Sequence, residues 1–200
     1  QLHAQSYKYI MELFNNGEYL PIDIISYCEM PPGSGLGSSS TIVVTIIKAF
    51  VEYLDLGLDD YQVAQLAFNI ERIKCKISGG KQDQFAAAFG GFNLLEFYSN
   101  NRTIVTPLKI KNWILCELEA SILLYFTGVS RYSSDIISDQ IDSYKAHSDN
   151  VIESMQIIKK DTYIFKELLM KGDFKKMSSS IKKSWIHKKQ TSKKISNANI

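Results

Sequence analysis

The stretch Pro32-Gly33-Ser34-Gly35-Leu36-Gly37-Ser38-Ser39-Ser40-Thr41 constrains the fold of this 200-residue chain more than any other. Glycines alternate with other residues, a run of serines follows, and Ile42-Val43-Val44-Thr45-Ile46-Ile47 comes next. Glycine lacks a Cβ, so such a loop can fold tightly with its N–H groups turned inward. A helix starting in Ser38-Ser39-Ser40 adds unpaired N–H groups and the positive end of its dipole. The expectation is a phosphate cradle between a strand over 22–29 and a helix from Ser38. The Walker pattern GxxxxGK[ST] is absent, because no lysine follows the last glycine. A dinucleotide-type GxGxxG is approached, but its last glycine falls one position early. A flexible Gly/Ser linker is the plain alternative, and the apolar segments on either side argue against it.

A hydrophobic share of 45% gives a chain of this length enough apolar surface for a sizeable core. The net charge of +2 hides an uneven distribution. Residues 1–150 carry 11 basic and 17 acidic side chains, a balance of −6, whereas residues 151–200 carry 12 and 4, a balance of +8. A basic end can meet nucleic acid or an acidic membrane face. Here it lacks arginine and has few interleaved aromatics, which favours lysine-rich helix surfaces and argues against a nucleic-acid partner. Cys28, Cys75 and Cys116 are odd in number and far apart, so they read as buried thiols of a reducing cytosol. No apolar run is long enough for membrane insertion, and a cytoplasmic location is expected.

Periodicity predicts helices over 2–14, 38–54, 60–73 and 83–89, with Asp59 or Asp60 capping the third. Strands are expected over 92–97, 103–108, 113–119 and 122–126, with a Ser99-Asn100-Asn101 turn joining the first two. From Ser134 to Met170 the pattern is helical, and a further helix begins near Asp173. Strands in the middle with helices to one side suggest an α+β fold.

Two acids stand out, Glu71 near a helix end and Asp83 within Gly79-Gly80-Lys81-Gln82-Asp83-Gln84. The intervening turn can fold both into one cleft. Phosphoryl transfer needs a cradle for anionic phosphates, a carboxylate for the divalent ion and a group that orients the attacking hydroxyl. The glycine loop supplies the first. Glu71, with a loop hydroxyl such as Ser39, suits Mg²⁺, which prefers hard oxygen ligands, and Asp83 suits the third task. Each has a plainer reading. Glu71 fits a solvated helix end, Asp83 a first-turn charge, Lys81 surface decoration, and Ser38 and Ser40 capping residues. The scattered His3, His147 and His187 form no zinc-binding spacing.

The run from Met30 to Thr41 resembles the central phosphate-binding motif of the GHMP kinases. The segment from Ser78 to Asn93 is similar to that of the D-glycero-D-manno-heptose 7-phosphate kinases, as is Tyr125-Phe126-Thr127-Gly128-Val129-Ser130-Arg131. The resemblance implies a two-domain α+β fold. Its N-terminal domain is like ribosomal protein S5 domain 2 and its C-terminal domain is ferredoxin-like, here residues 1–118 and 119–200. It implies nucleotide contacts from Pro32, Gly33, Ser34, Gly35, Leu36, Gly37, Ser38, Ser39 and Ser40, magnesium on Ser39 and Glu71, and catalysis by Asp83. The implied activity is ATP-dependent phosphorylation of the anomeric hydroxyl of a heptose 7-phosphate, with ATP and a sugar phosphate as partners and a homodimer as one assembly it allows. Another GHMP kinase (fucose-, galactose- or mevalonate-like) and a nucleotide-binding relative without catalysis stay open. The family's N-terminal sugar-holding motif and C-terminal glycine-rich loop have no counterpart, so a chain incomplete at both ends is expected.

Overall fold

Apolar residues three and four apart wind most of the chain into helices. The computed structural model describes residues 1–30, 33–125, 133–146 and 149–196. Two compact units emerge, one built on residues 1–91 and the other on most of those that follow. The units divide at 91/92, ahead of the domain boundary expected at 118/119.

In the first unit, α1 (Leu2–Phe14) packs on α2 (Ser38–Tyr53), and α3 (Asp60–Phe68) and α4 (Gln82–Phe89) pack on α2 as well. The β-branched run from Thr41 to Ile47 is a poor helix former by propensity. Burial overrides it. Ser40, Val43, Val44, Ile47 and Phe50 recur at helical spacing and are all withdrawn from solvent. Fully burying one such aliphatic side chain contributes roughly 1.5–3 kcal/mol, against propensity differences of a few tenths. The Asp59 side chain accepts from the Gln62 N–H and the Gln62 side chain accepts from the Asp59 N–H, closing a capping box at the start of α3. Helix α3 then widens into a π-helical segment, Asn69–Lys74. Tyr61, Phe85 and Phe89 lock α3 to α4, with the Tyr61 and Phe89 rings edge to face at 4.8 Å.

The second unit opens with an antiparallel hairpin of β1 (Asn93–Phe97) and β2 (Thr103–Pro107), paired from Asn93↔Pro107 to Phe97↔Thr103. Its turn places Asn101 at φ 61°, a left-handed conformation that asparagine tolerates. Helices α5 (Asn112–Ser121), α6 (Ser133–Lys145), α7 (Asp149–Lys171) and α8 (Phe174–Gln190) follow. Ile114, Leu169 and Met177 form a core with Phe165 and Phe174 packed against it. Gly172, at φ 71°, and Asp173, whose side chain caps α8, make the corner between the last two helices.

Three of the expected strands are absent among the described residues. Residues 113–119 lie in α5, because Ile114 and Leu118 at i,i+4 both turn inward, and a short apolar run does not distinguish helix from strand. Residues 22–28 have no regular structure, no strand pairs with them among the described residues, and Ile25 is 93% exposed. Residues 122–125 have neither regular structure nor burial, and Phe126 lies outside the described residues. A strand is completed by its neighbour's hydrogen bonds, which local sequence does not contain. Cys28 and Cys116 are exposed, contrary to expectation, and Cys75 alone of the three is buried.

Candidate active site

The glycine loop owes its path to backbone freedom. Gly33, Gly35 and Gly37 adopt φ of 75°, 79° and 73°, a region that side chains with a Cβ rarely enter. Gly37 is the N-cap of α2, so no side chain satisfies the first N–H groups of that helix. Ser34 Oγ is shut off from solvent without a hydrogen-bond partner. Open N–H groups at a helix start and an orphaned hydroxyl make a setting that an anion completes. Pro32 and the stretch from Phe126 to Arg131 lie outside the described residues.

Glu71 reaches this loop from the π-helical segment. It is fully buried, and hydrogen bonds hold both of its oxygens. Ser39 Oγ donates to Oε1 at 2.9 Å, Ser40 Oγ donates to Oε2 at 2.7 Å, and Gln84 Nε2 also donates to Oε2. No ion pair among the described residues includes Glu71. A buried carboxylate held only by neutral donors is a natural seat for a cation. Mg²⁺ prefers hard oxygen ligands, and the Ser39 hydroxyl and Glu71 carboxylate fit the ion in that chemistry. Burial pushes the Cys75 thiol above its ordinary range, and the negative charge of Glu71 adds to the shift.

Asp83 lies in the exposed first turn of α4, against the loop. A methyl group added to Gly37 would lie 3.5 Å from Asp83 Cγ and 3.8 Å from its Oδ1. The turn that delivers Asp83 is tied down by Arg72, whose Nε donates to the Gly80 carbonyl at 3.1 Å. Gly79 lies so close to that guanidinium that a Cβ there would come within 2.4 Å of Arg72 Cζ. Lys81 places its ammonium 5.0 Å from the centre of the Phe68 ring.

Glycine loop, Ser39, Ser40, Glu71 and Asp83 therefore meet in one place, all within the first unit. The solvated-helix-end reading of Glu71 is overturned by its burial. Sequence reading missed Gln84 and Arg72. Gln84 stands four residues before Ala88 and next to Phe85, so helical spacing puts it on the buried face of α4, and that was the available signal. Away from the loop, an apolar groove of about 570 Å³ runs between residues 22–28 and α2. Among the described residues, no three or more His, Cys, Asp or Glu side chains gather in a metal-binding group, and no helix is long and apolar enough to cross a membrane.

Residues 2–91 match the profile of the GHMP kinases N terminal domain. A D-glycero-alpha-D-manno-heptose 7-phosphate kinase of Campylobacter jejuni is 48% identical over 178 residues, 89% of this chain and 52% of that protein. An L-fucokinase/L-fucose-1-P guanylyltransferase of Bacteroides fragilis is 25% identical over 166 residues, 82% of this chain and 17% of the relative. The crystal structure of a Bacteroides thetaiotaomicron D-glycero-D-manno-heptose 1-phosphate kinase superposes with a TM-score of 0.76 at 40% identity, covering 94% of this chain and 55% of that one. The chain thus spans about half the length of the heptose-phosphate kinases it matches. Residues 2–91, which carry the glycine loop, are thus a GHMP kinase N-terminal domain, in a chain similar to heptose-phosphate kinases over most of its length.

Proposed function

We propose that the protein carrying this chain transfers the γ-phosphoryl group of ATP to the anomeric hydroxyl of D-glycero-D-manno-heptose 7-phosphate. The product would be the 1,7-bisphosphate used in nucleotide-heptose synthesis. The observation that carries the reading is the meeting of an uncapped helix start, a buried carboxylate and an exposed acid. In this reading Gly33, Gly35, Gly37 and the N–H groups at Ser38 hold the ATP phosphates, with Pro32, Ser34, Leu36 and Ser40 shaping the loop. Ser39 and Glu71 hold Mg²⁺, which when bound offsets phosphate charge and orients it. Asp83 orients the sugar hydroxyl and takes up its proton. Preset donors at the phosphoryl oxygens, where charge spreads during transfer, lower the barrier because they need no reorganisation. The finer architecture belongs to the same proposal: an S5-like ATP-binding domain followed by a ferredoxin-like one.

The names of the relatives differ in the phosphate position they cite, and the fucokinase likeness favours a second reading with a six-carbon sugar acceptor. Full-length protein, ATP and a panel of heptose 7-phosphate, heptose 1-phosphate, fucose and galactose, followed by phosphorus NMR, separates the two. A new anomeric phosphate on heptose 7-phosphate supports the first reading. Phosphorylation of fucose or galactose alone favours the second, and ATP binding without transfer to any sugar removes both.

A further inference from the structure

We infer that Gln84 is a positioning residue for Glu71, dividing the two carboxylate oxygens between an anchored one and a metal-facing one; this deepens the magnesium assignment above and rests on it. Gln84 is fully buried on the inner face of α4. Its Nε2 donates both to Glu71 Oε2 and, at 3.1 Å, to Ser40 Oγ. Ser40 spends its only hydroxyl proton on that same Oε2, so it can only accept from Gln84. The amide orientation is thereby fixed by chemistry. Turned over, its oxygen would face a carboxylate and a hydroxyl lone pair, with no proton between them.

The result is a closed triangle of Gln84, Ser40 and Glu71 Oε2, entirely out of solvent. It stops the carboxyl group from rotating about its terminal bond. The other oxygen, Oε1, is left on the hydroxyl of the exposed Ser39, a pair of hard oxygens of the kind Mg²⁺ prefers. Gln84 Oε1 has no hydrogen-bond partner although it is buried. Keeping such an orphan acceptor lowers stability, so an apolar residue would serve a merely structural role better. Groups that orient metal ligands typically change metal affinity 10–100-fold when removed.

The test uses the full-length protein and Mn²⁺ alone as probe, read by electron paramagnetic resonance without nucleotide or sugar. Gln84→Met keeps the volume and removes both donated bonds. Gln84→Asn keeps the amide one methylene short of its partners and guards against misfolding of the first variant. Each is expected to raise the Mn²⁺ dissociation constant at least tenfold, approaching Glu71→Gln. In turnover assays, the Mg²⁺ concentration for half-maximal rate should rise while kcat at saturating Mg²⁺ falls less. Unchanged Mn²⁺ affinity in either folded variant overturns the role of Gln84 and leaves the magnesium assignment standing. If the parent binds no Mn²⁺, or Glu71→Gln binds it equally well, the assignment fails and this inference fails with it.

Discussion

At the scale of single residues, adjacent positions on α4 have opposite environments: Asp83 is exposed beside the loop and Gln84 is sealed beneath it. A base for a sugar hydroxyl must be reachable, and Asp83 is. Asp83→Asn in the full-length protein is expected to lower kcat by about 10²–10⁴-fold, the usual range for a general base, with affinity for an ATP analogue retained. Near-normal turnover in that variant would remove Asp83 from the mechanism. Cys75 makes a second case. Its thiol holds its proton more tightly in the folded chain than in the unfolded one, through burial first and Glu71 second. The associated stability is complete below the ordinary thiol pKa of about 8.5 and is lost as pH rises through the folded value. Urea midpoints from pH 7 to 10 should fall more steeply for the parent than for Cys75→Ala, and parallel slopes would contradict the shift. The loop and both acids were legible in sequence because their types and spacing are local facts. The hydrogen bonds from Ser39, Ser40 and Gln84 to Glu71 were not, since they depend on how three helices meet.

Elements were legible where one side of a segment settles its burial. The helices over 2–14, 38–53 and 82–89 lie close to where periodicity put them, as does the β1–β2 hairpin. The capping box at Asp59 is a purely local device and was readable as such. Failures occurred where a second element decides. Residues 22–28 have strand composition but no pairing strand among the described residues, where tethers such as the hydroxyl of Tyr7 on the Leu20 backbone and His3 on Ser26 lie beside or within them. Among the described residues, the amides of 23–28 make no backbone hydrogen bond. Hydrogen exchange on the 200-residue chain should therefore show these amides near unfolded-chain rates, while the Val43–Ile47 turn of α2 is strongly protected. Protection of 23–28 equal to that of α2 would mean that a pairing strand is present after all.

For the molecule as a whole, each of the two units carries its own core, one around α2 and the other around Ile114, Leu169 and Met177. Separate cores predict separate cooperative transitions. Both tryptophans, Trp113 and Trp185, fall in the second unit, so their fluorescence reports on that unit while far-UV circular dichroism reports on both. Ile47 is 1% exposed in the first core, and Ile47→Ala should cost about 2–5 kcal/mol there. The tryptophan midpoint in urea is expected to stay in place, while an earlier phase appears in the dichroism. Gly172→Ala should do the reverse. Its Cβ would lie 2.6 Å from Trp113 Cη2 on a backbone already at φ +71°, so strain and collision fall on the second unit alone. If either substitution moves both signals together, the chain unfolds as one cooperative block. The loop site would then draw its rigidity from residues beyond 91 as well as from the helices that form it.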